Sequence, residues 1–409
     1  MKILFVLPPC LPTPPVGYGG IEAVAAALLP ELEASGVQTV VCTPNGSTVS
    51  VTELRQLIEP IYPILTQPYN EVAPIVEQYV ADVMHVAATS QVDLIHDFSG
   101  MLTTLNTLAA PLSDPNYPPV VHTIHGPLQP FMRTYARLLE LHPAEQLTYT
   151  AISAAQASAA PASVRDRFRV IHNGLNPSDF RLGAGGERLL VLGRLCRDKG
   201  QDRLVRYCAR HGLPLDVAGT VAEMSSVEEI EAEAALGAAS RAASKADFRL
   251  YLSIRHLFDG QLIRFHGNVG GRAKSKLLEQ ARALVIPNRW AEPFGMVAIE
   301  AMASGTPVAA IGSGALPELV RHGVTGHLTE TFDELGRYLR SDQVATLDRP
   351  AIRRYAIRHF SVRHIAQRYL QLYRSLIAQH KLQQPLAPSR PRRVPAPRAV
   401  SKPAQDLLA

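Results

Sequence analysis

Between Ile3 and Ile171 short aliphatic or β-branched runs alternate with stretches that read as helices: Ile3–Leu7, Thr39–Cys42, Leu94–His96, Val120–Ile124, Thr150–Ser153 and Val170–Ile171. Runs that are apolar at nearly every position suit strands buried on both faces, and strands separated by helices suit a parallel sheet. A polar, glycine-rich gap at Leu182–Glu187 reads as a linker. The alternation restarts at Leu189–Leu192, Leu215–Ala218, Ile263–His266, Leu284–Pro287 and Pro307–Ala310. The pattern predicts an α/β chain of two doubly wound, Rossmann-like domains, residues 1–182 and 187–350. Helices over 351–380 and a tail over 381–409 follow. Open α/β sheets bind ligands beyond the carboxyl ends of their strands, so the functional cleft is expected between the two sheets. Residues 223–258 form a long connection whose Glu and Ala content predicts helix from about Val227 to Lys245. Nothing in its residues demands a partner or acceptor contact, and an elaborated helical connection is the plainer reading.

Composition agrees with two cores: 46% of the 409 residues are hydrophobic. The formal net charge of +5 resides after residue 380, where Lys381, Arg390, Arg392, Arg393, Arg398 and Lys402 face only Asp406. The body is therefore charge-balanced, which argues against a nucleic-acid partner. The Pro-, Ala- and Arg-rich tail has no apolar period and reads as disordered. An inert end is the preferred reading, with weak peripheral contact to an anionic membrane or a partner as the other. Cys10, Cys42, Cys196 and Cys208 show no CxxC pair or metal spacing, so buried free thiols in a reducing compartment are expected. Pro8 and Pro9 stop the opening apolar run short of a signal-peptide core, and no run approaches the ~20 apolar residues of a membrane span. A soluble, cytoplasmic protein is the expectation.

The densest chemistry lies in WAEPFGMVAIEAMASGTPVAAIGSGALP, Trp290 to Pro317. Pro293 and Gly295 disfavour helix before about Phe294, whereas Met296–Ala303 are good helix formers closed by Gly305 and Pro307. Glu292 is thus expected in a loop and Glu300 one to two turns into a helix. Between them the amides of Gly295, Met296 and Val297 would point outward at the positive end of the helix dipole, a site for phosphate. Carboxylates flanking an anion site suit the hydroxyl-rich groups attached to that phosphate, as in a nucleotide sugar.

The E-x7-E spacing, the EPFG start, EAMASGTPV and the later PELVRHGVTG resemble the carboxyl-terminal half of glycosyltransferase family 4, retaining enzymes of the GT-B fold. YGGIE at Tyr18–Glu22, HTIHG at His122–Gly126, VIHNGLNPSDF at Val170–Phe180 and GRLCRDKG at Gly193–Gly200 fit the family in the same order. The resemblance implies two facing Rossmann-like domains and a final helix crossing back onto the first, for which Val362–Ile377 is the candidate.

It also implies roles. Arg194 and Lys199 match the family's diphosphate-binding pair, with Arg197 a nearby competitor outside the pattern. Glu300 matches the carboxylate that holds the donor ribose. Glu292 matches the one that contacts sugar hydroxyls beside the reacting carbon, so it is assigned to orientation and electrostatic stabilisation rather than nucleophilic attack. Phe294, Gly295, Met296 and Val297 complete the donor loop. Gly19 and Gly20, in the loop Gly17–Gly20, match the glycine pair near the donor diphosphate and acceptor; a dinucleotide fingerprint fails there because GYGGIE lacks its third glycine or alanine. His125 matches the histidine that approaches donor sugar and acceptor, whereas His122 faces the other side of its strand and reads as structural. For His96 and Asp97 a satisfied polar pair and an acceptor contact both stay open. Asn173 and Gly174 look like the family's structural turn before the linker.

No DxD occurs, and Arg194, Lys199 and helix amides would do the work of a metal, so neither a metal nor another cofactor is expected. The implied activity is transfer of a sugar from a nucleotide diphosphate sugar, UDP favoured with GDP and ADP open, to an unidentified acceptor hydroxyl on a glycan, a lipid-linked glycan or a small molecule. Its acceptor loops would be Leu65–Ala73 and Gly126–Thr134. An epimerase or phosphorylase of the same architecture, or a non-catalytic sugar-nucleotide binder, are the alternatives.

Overall fold

In the first sheet the strands β1 (Lys2–Val6), β2 (Gln38–Pro44), β3 (Glu53–Ile58), β4 (Leu94–Asp97), β5 (Val120–Ile124), β6 (Leu147–Ala151) and β7 (Phe168–Val170) lie in the order β3-β2-β1-β4-β5-β6-β7. A second sheet orders β8 (Leu189–Leu192), β9 (Leu215–Ala218), β10 (Ile263–Phe265), β11 (Ala283–Ile286), β12 (Val308–Ile311) and β13 (Gly326–Thr329) as β10-β9-β8-β11-β12-β13. Every pairing is parallel. These assignments come from a computed structural model that describes residues 1–16, 19–61, 69–104, 114, 116–128 and 146–383.

Each sheet reverses its winding once, between β1 and β4 in the first and between β8 and β11 in the second. Crevices for ligands open at these two places. The apolar runs identify the buried central strands, but β3 and β13 are extra. Both lie on sheet edges, and β3, ELRQLI, is half-exposed along its length. An edge strand buries less surface and need not be apolar. β6 ends at Ala151, earlier than expected, because Ser153 turns the chain and caps a short helix, Ala154–Ser158, by accepting from the Gln156 amide.

The linker is held at several points. Gly183 N donates to the Ser304 carbonyl (3.0 Å), Gly185 N donates to that of Glu279 (3.0 Å), and Arg349 Nε donates to the Gly183 carbonyl (2.8 Å). Beyond it the helix Arg349–Phe360 packs on the second domain, with Ile352, Ala356 and Phe360 in its core. The chain then crosses. Helix Val362–Gln383 buries Ile365, Tyr369, Leu370, Tyr373 and Ile377 with Ile3, Phe5, Leu28 and Leu32 of the first domain. Full burial of such side chains stabilises by roughly 1.5–3 kcal/mol each, enough to fix the crossing. Gly174 permits the turn, since a Cβ there would lie 2.8 Å from Val362 Cα. His96 belongs to the same joint: its Nδ1 meets Tyr373 Oη (2.6 Å) and its Nε2 meets Thr123 Oγ1 (2.7 Å). That decides for a structural His96.

Three expectations need correction. Helix does not run from Val227 to Lys245: it stops at Ala235, because Gly237 takes a left-handed φ of 55° and opens a 3-10 turn, and a second helix covers Ala246–Leu252. Leu65–Ala73 is not wholly loop, since Tyr69 opens the helix Tyr69–Thr89, while 65–68 lie outside the described residues. The last helix continues to Gln383, three residues into the expected tail; the rest of the tail, and residues 129–134 of the second acceptor loop, lie outside the described residues. All four cysteines are free thiols. Among the described residues no helix is long and apolar enough to cross a membrane.

Candidate functional site

At the crevice of the second sheet the chain leaves β8 through Gly193–Gly200 and β11 through Pro287–Gly295. The two loops are braced together. Gly200, at φ 72°, leaves room for the Pro287 carbonyl, which a Cβ would overlap. Arg203 Nε donates to the Pro287 carbonyl (3.1 Å) and its Nη2 to that of Asn288 (2.8 Å), while Arg289 Nη1 pairs with Asp202 (2.6 Å). This bracing brings Lys199, which closes the 3-10 turn Arg197–Lys199, to Glu292: Nζ lies 2.6 Å from Oε2. Asn288 Nδ2 donates to the same Oε2 (2.6 Å), and the Lys199 ammonium sits 5.1 Å from the centre of the Trp290 ring. Both bonds use one carboxylate oxygen, which leaves Oε1 for another partner. The Glu292 backbone is fixed too, since its carbonyl accepts from Ala315 N (2.8 Å).

Helix Met296–Ala303 starts as the sequence predicts. Gly295 is its N-cap in the left-handed region (φ 101°); Ala298 N donates back to the Gly295 carbonyl (2.9 Å), while the amides of Met296 and Val297 lack intrahelical acceptors by helix geometry. Glu300 follows in the second turn and is buried. Lys274 Nζ donates to its Oε1 (2.8 Å), while Oε2 is buried without a hydrogen-bond partner. An orphaned buried carboxylate oxygen is costly, of order 1–3 kcal/mol, and a ligand hydroxyl would relieve it. Phe294 is buried in the domain core with its ring 5.7 Å from that of His172, so any donor contact there falls to its backbone. Met296 and Val297 are partly buried at the core margin.

Arg194 stands apart from this group. It is 54% exposed, and its Nη1 donates to Asp247 Oδ2 (3.2 Å), a residue of the long 223–258 connection. Arg197 is exposed, and its carbonyl accepts from Gly200 N (3.1 Å) and Arg289 Nη1 (2.8 Å).

In the first domain Gly19, at φ 151°, caps helix Gly20–Ala34 after β1; a Cβ on Gly19 would come 2.5 Å from Pro15 Cβ. Gly17 and Tyr18 lie outside the described residues. His125 follows β5, is stacked on Phe98 (5.0 Å between centroids) and keeps Nε2 buried without a partner. Burial, helped by nearby His122, pushes its pKa down to about 3, so the ring is neutral near pH 7. His122 lies within the strand against the Tyr149 ring. Asp97 Oδ1 accepts from Ser99 N (2.9 Å), Ser99 Oγ (2.6 Å) and Gly100 N (2.9 Å), whereas its Oδ2 is buried without a partner.

The structure therefore joins Lys199 to Glu292, sets Glu300 one helix turn beyond, and leaves Arg194 with Asp247. Sequence reasoning missed Asn288, Lys274 and Asp247. Asn288, four residues before Glu292, carried a weak positional signal, and the other two carried none. Among the described residues no three His, Cys, Asp or Glu side chains converge on one point. A shallow polar depression lined by His327, Glu330, Arg337 and Tyr338 shares no residue with the site.

Two family models match the chain in succession, Glycosyltransferase Family 4 over residues 18–179 and Glycosyl transferases group 1 over residues 177–341. An uncharacterized glycosyltransferase of Methanocaldococcus jannaschii is 32% identical over 181 residues, 39% of this chain and 40% of that protein. The chain spans about two fifths of the length of that protein and of a D-inositol 3-phosphate glycosyltransferase of Streptomyces scabiei, and less of other curated relatives. Sucrose-phosphate synthase of Thermosynechococcus elongatus superposes with a TM-score of 0.72 at 21% identity, over 92% of this chain and 99% of that one. Anabaena HepE, solved in complex with UDP-glucose, superposes with a TM-score of 0.64 at 20% identity, over 92% and 100%. At these identities the superpositions establish the shared two-domain GT-B fold.

Proposed function

The chain belongs to the group 1 glycosyltransferases, and from that premise we propose that it moves a sugar from a nucleotide diphosphate sugar to an acceptor hydroxyl, retaining the anomeric configuration and using no metal. The observation that carries this reading is the Lys199–Glu292–Asn288 group at the crevice of the second sheet, beside the Met296 and Val297 amides that open helix Met296–Ala303.

A donor fits it in one direction. Ribose hydroxyls meet Glu300 Oε2, the diphosphate lies against the helix amides and Lys199, and the sugar reaches Glu292 Oε1. Cleavage of the bond to the anomeric carbon builds charge on the leaving phosphate, and preplaced positive groups lower that barrier without reorganising. Lys199 leaves Glu292 for the phosphate in this scheme, and Arg194 reaches it by exchanging Asp247 for an oxygen of the diphosphate. Attack from the same face, with the leaving phosphate taking the acceptor proton, gives retention. His125, neutral, offers or accepts a hydrogen bond at the sugar rather than a charge. The complex of HepE with UDP-glucose supports UDP as the carrier.

The test is thermal melting against UDP-, GDP- and ADP-sugars with EDTA present. A ligand at about 100 times its Kd stabilises by roughly 2.7 kcal/mol, which reads as a clear shift. A shift for one nucleotide class is expected, and no shift with any of them would overturn the donor site. Proton NMR of freshly released sugar reports the configuration, and an inverted anomer would overturn retention.

A further inference from the structure

His125 and Glu292 stand on different domains, yet an unbroken run of hydrogen bonds joins their backbones. Gln156 Nε2 donates to the carbonyls of Ile124 (3.0 Å) and Gly126 (2.7 Å), the residues on either side of His125. Its Oε1 accepts from Ile152 N (2.8 Å), and its backbone amide donates to Ser153 Oγ (3.0 Å). Ser153 Oγ then crosses the domain boundary and donates to the carbonyl of Pro293 (2.8 Å), the residue after Glu292.

A second strut runs beside the first. Glu318 Oε2 accepts from Ala154 N (2.8 Å) and Oε1 from Ala155 N (2.7 Å), and His172 Nε2 lies 3.2 Å from Oε2. Glu318 belongs to the short helix Leu316–Leu319, and Ala315, just before that helix, donates its amide to the Glu292 carbonyl (2.8 Å). Both struts therefore end on the backbone around Glu292. Ser153 is 0% and Gln156 5% exposed, so water cannot replace the bonds they make.

We propose that Ser153, Gln156 and Glu318 are positioning residues that clasp the two domains and set His125 against Glu292. The inference rests on the reading of this site as a sugar-transfer centre. None of the three touches the groups assigned to nucleoside or diphosphate. The clasp therefore governs turnover and leaves nucleotide affinity alone, because misplacing reacting groups by about 1 Å can cost on the order of 100-fold in rate while each ligand contact persists.

The experiment compares wild type with Ser153→Ala and Glu318→Ala, one variant from each domain, so that one remains if the other fails to fold. UDP affinity is measured by calorimetry, turnover by UDP release from UDP-glucose with water as acceptor, and backbone mobility by hydrogen–deuterium exchange. Turnover should fall by about tenfold or more while the UDP Kd stays within about twofold. Glu318→Ala should also speed exchange across the boundary, in first-domain residues 124–128. Turnover equal to wild type in the folded variants, Kd and turnover falling in parallel, or unchanged exchange at 124–128 would each overturn the clasp. Failure of wild type to bind UDP or consume UDP-glucose would instead overturn UDP-glucose as the donor, and the exchange measurement, which needs no ligand, would still decide the clasp.

Discussion

Replacing Lys199 with methionine removes the cation of the Lys199–Glu292 pair but keeps a chain able to lie on the Trp290 ring. Glu292 is then left with Asn288 Nδ2 as donor to Oε2, and its side chain is only 11% exposed. Breaking a fully buried pair costs about 3–5 kcal/mol, but Lys199 is 29% exposed and water relieves part of the loss, so ~1–3 kcal/mol is expected. Adding Glu292→Gln removes the stranded charge and should restore most of that stability. Nucleotide binding should behave differently. One charged hydrogen bond to the diphosphate is worth about 1.5–3 kcal/mol, so the UDP Kd should rise roughly 10- to 150-fold and stay high in the double variant. Urea unfolding reads the first quantity and calorimetry with UDP the second. Lys199→Met binding UDP within about threefold of wild type would remove Lys199 from the donor site. A double variant no more stable than the single one would refute the pairing.

Three further outcomes are expected. His125, with its pKa lowered from 6.5 to about 3, binds a proton in the unfolded chain before it does in the folded one, so stability is lost as pH falls from about 6.5 toward 3. Denaturant titrations at pH 7 and pH 5 should show His125→Phe losing ~2 kcal/mol less than wild type over that interval, and equal losses would contradict the assignment. Gly314 sits at φ 61° where a Cβ would overlap backbone atoms of Glu292, so Gly314→Ala should cost at least ~1–3 kcal/mol in urea and abolish donor turnover. Glu300→Gln should weaken UDP binding about tenfold and leave pyrophosphate binding unchanged in calorimetry, since Glu300 is assigned to the ribose; a loss with both ligands would move Glu300 to the phosphates.

Part of this architecture was legible before any coordinates. Leu189–Leu192, Leu215–Ala218 and Val120–Ile124 coincide with β8, β9 and β5, because strands buried on both faces must be apolar throughout. β3 escaped notice because an edge strand tolerates Glu53, Arg55 and Gln56. The helix expected from Val227 to Lys245 fails at Gly237, where composition over the segment carries no sign of the left-handed turn that one residue adopts. Glu292 in a loop and Glu300 in a helix followed from Pro293, Gly295 and Gly305, whose backbone preferences act within a few residues.

The sequence by itself thus determined the two parallel sheets, the start and stop of the helix after Glu292, and the identity of the charges around it. Only the tertiary structure decided how those charges are shared: Lys199 with Glu292, Lys274 with Glu300, Arg194 with Asp247, and Ser153 with Pro293 across the domain boundary. The division has a physical cause. Strand period and helix termini are set by sterics and burial over a few neighbouring residues, whereas an ion pair depends on where two distant segments come to rest. Lys199 and Glu292 are 93 positions apart, and Ser153 and Pro293 are 140 apart. Over such separations the partner is chosen by how the sheets and their crossing helix pack, which no local preference encodes.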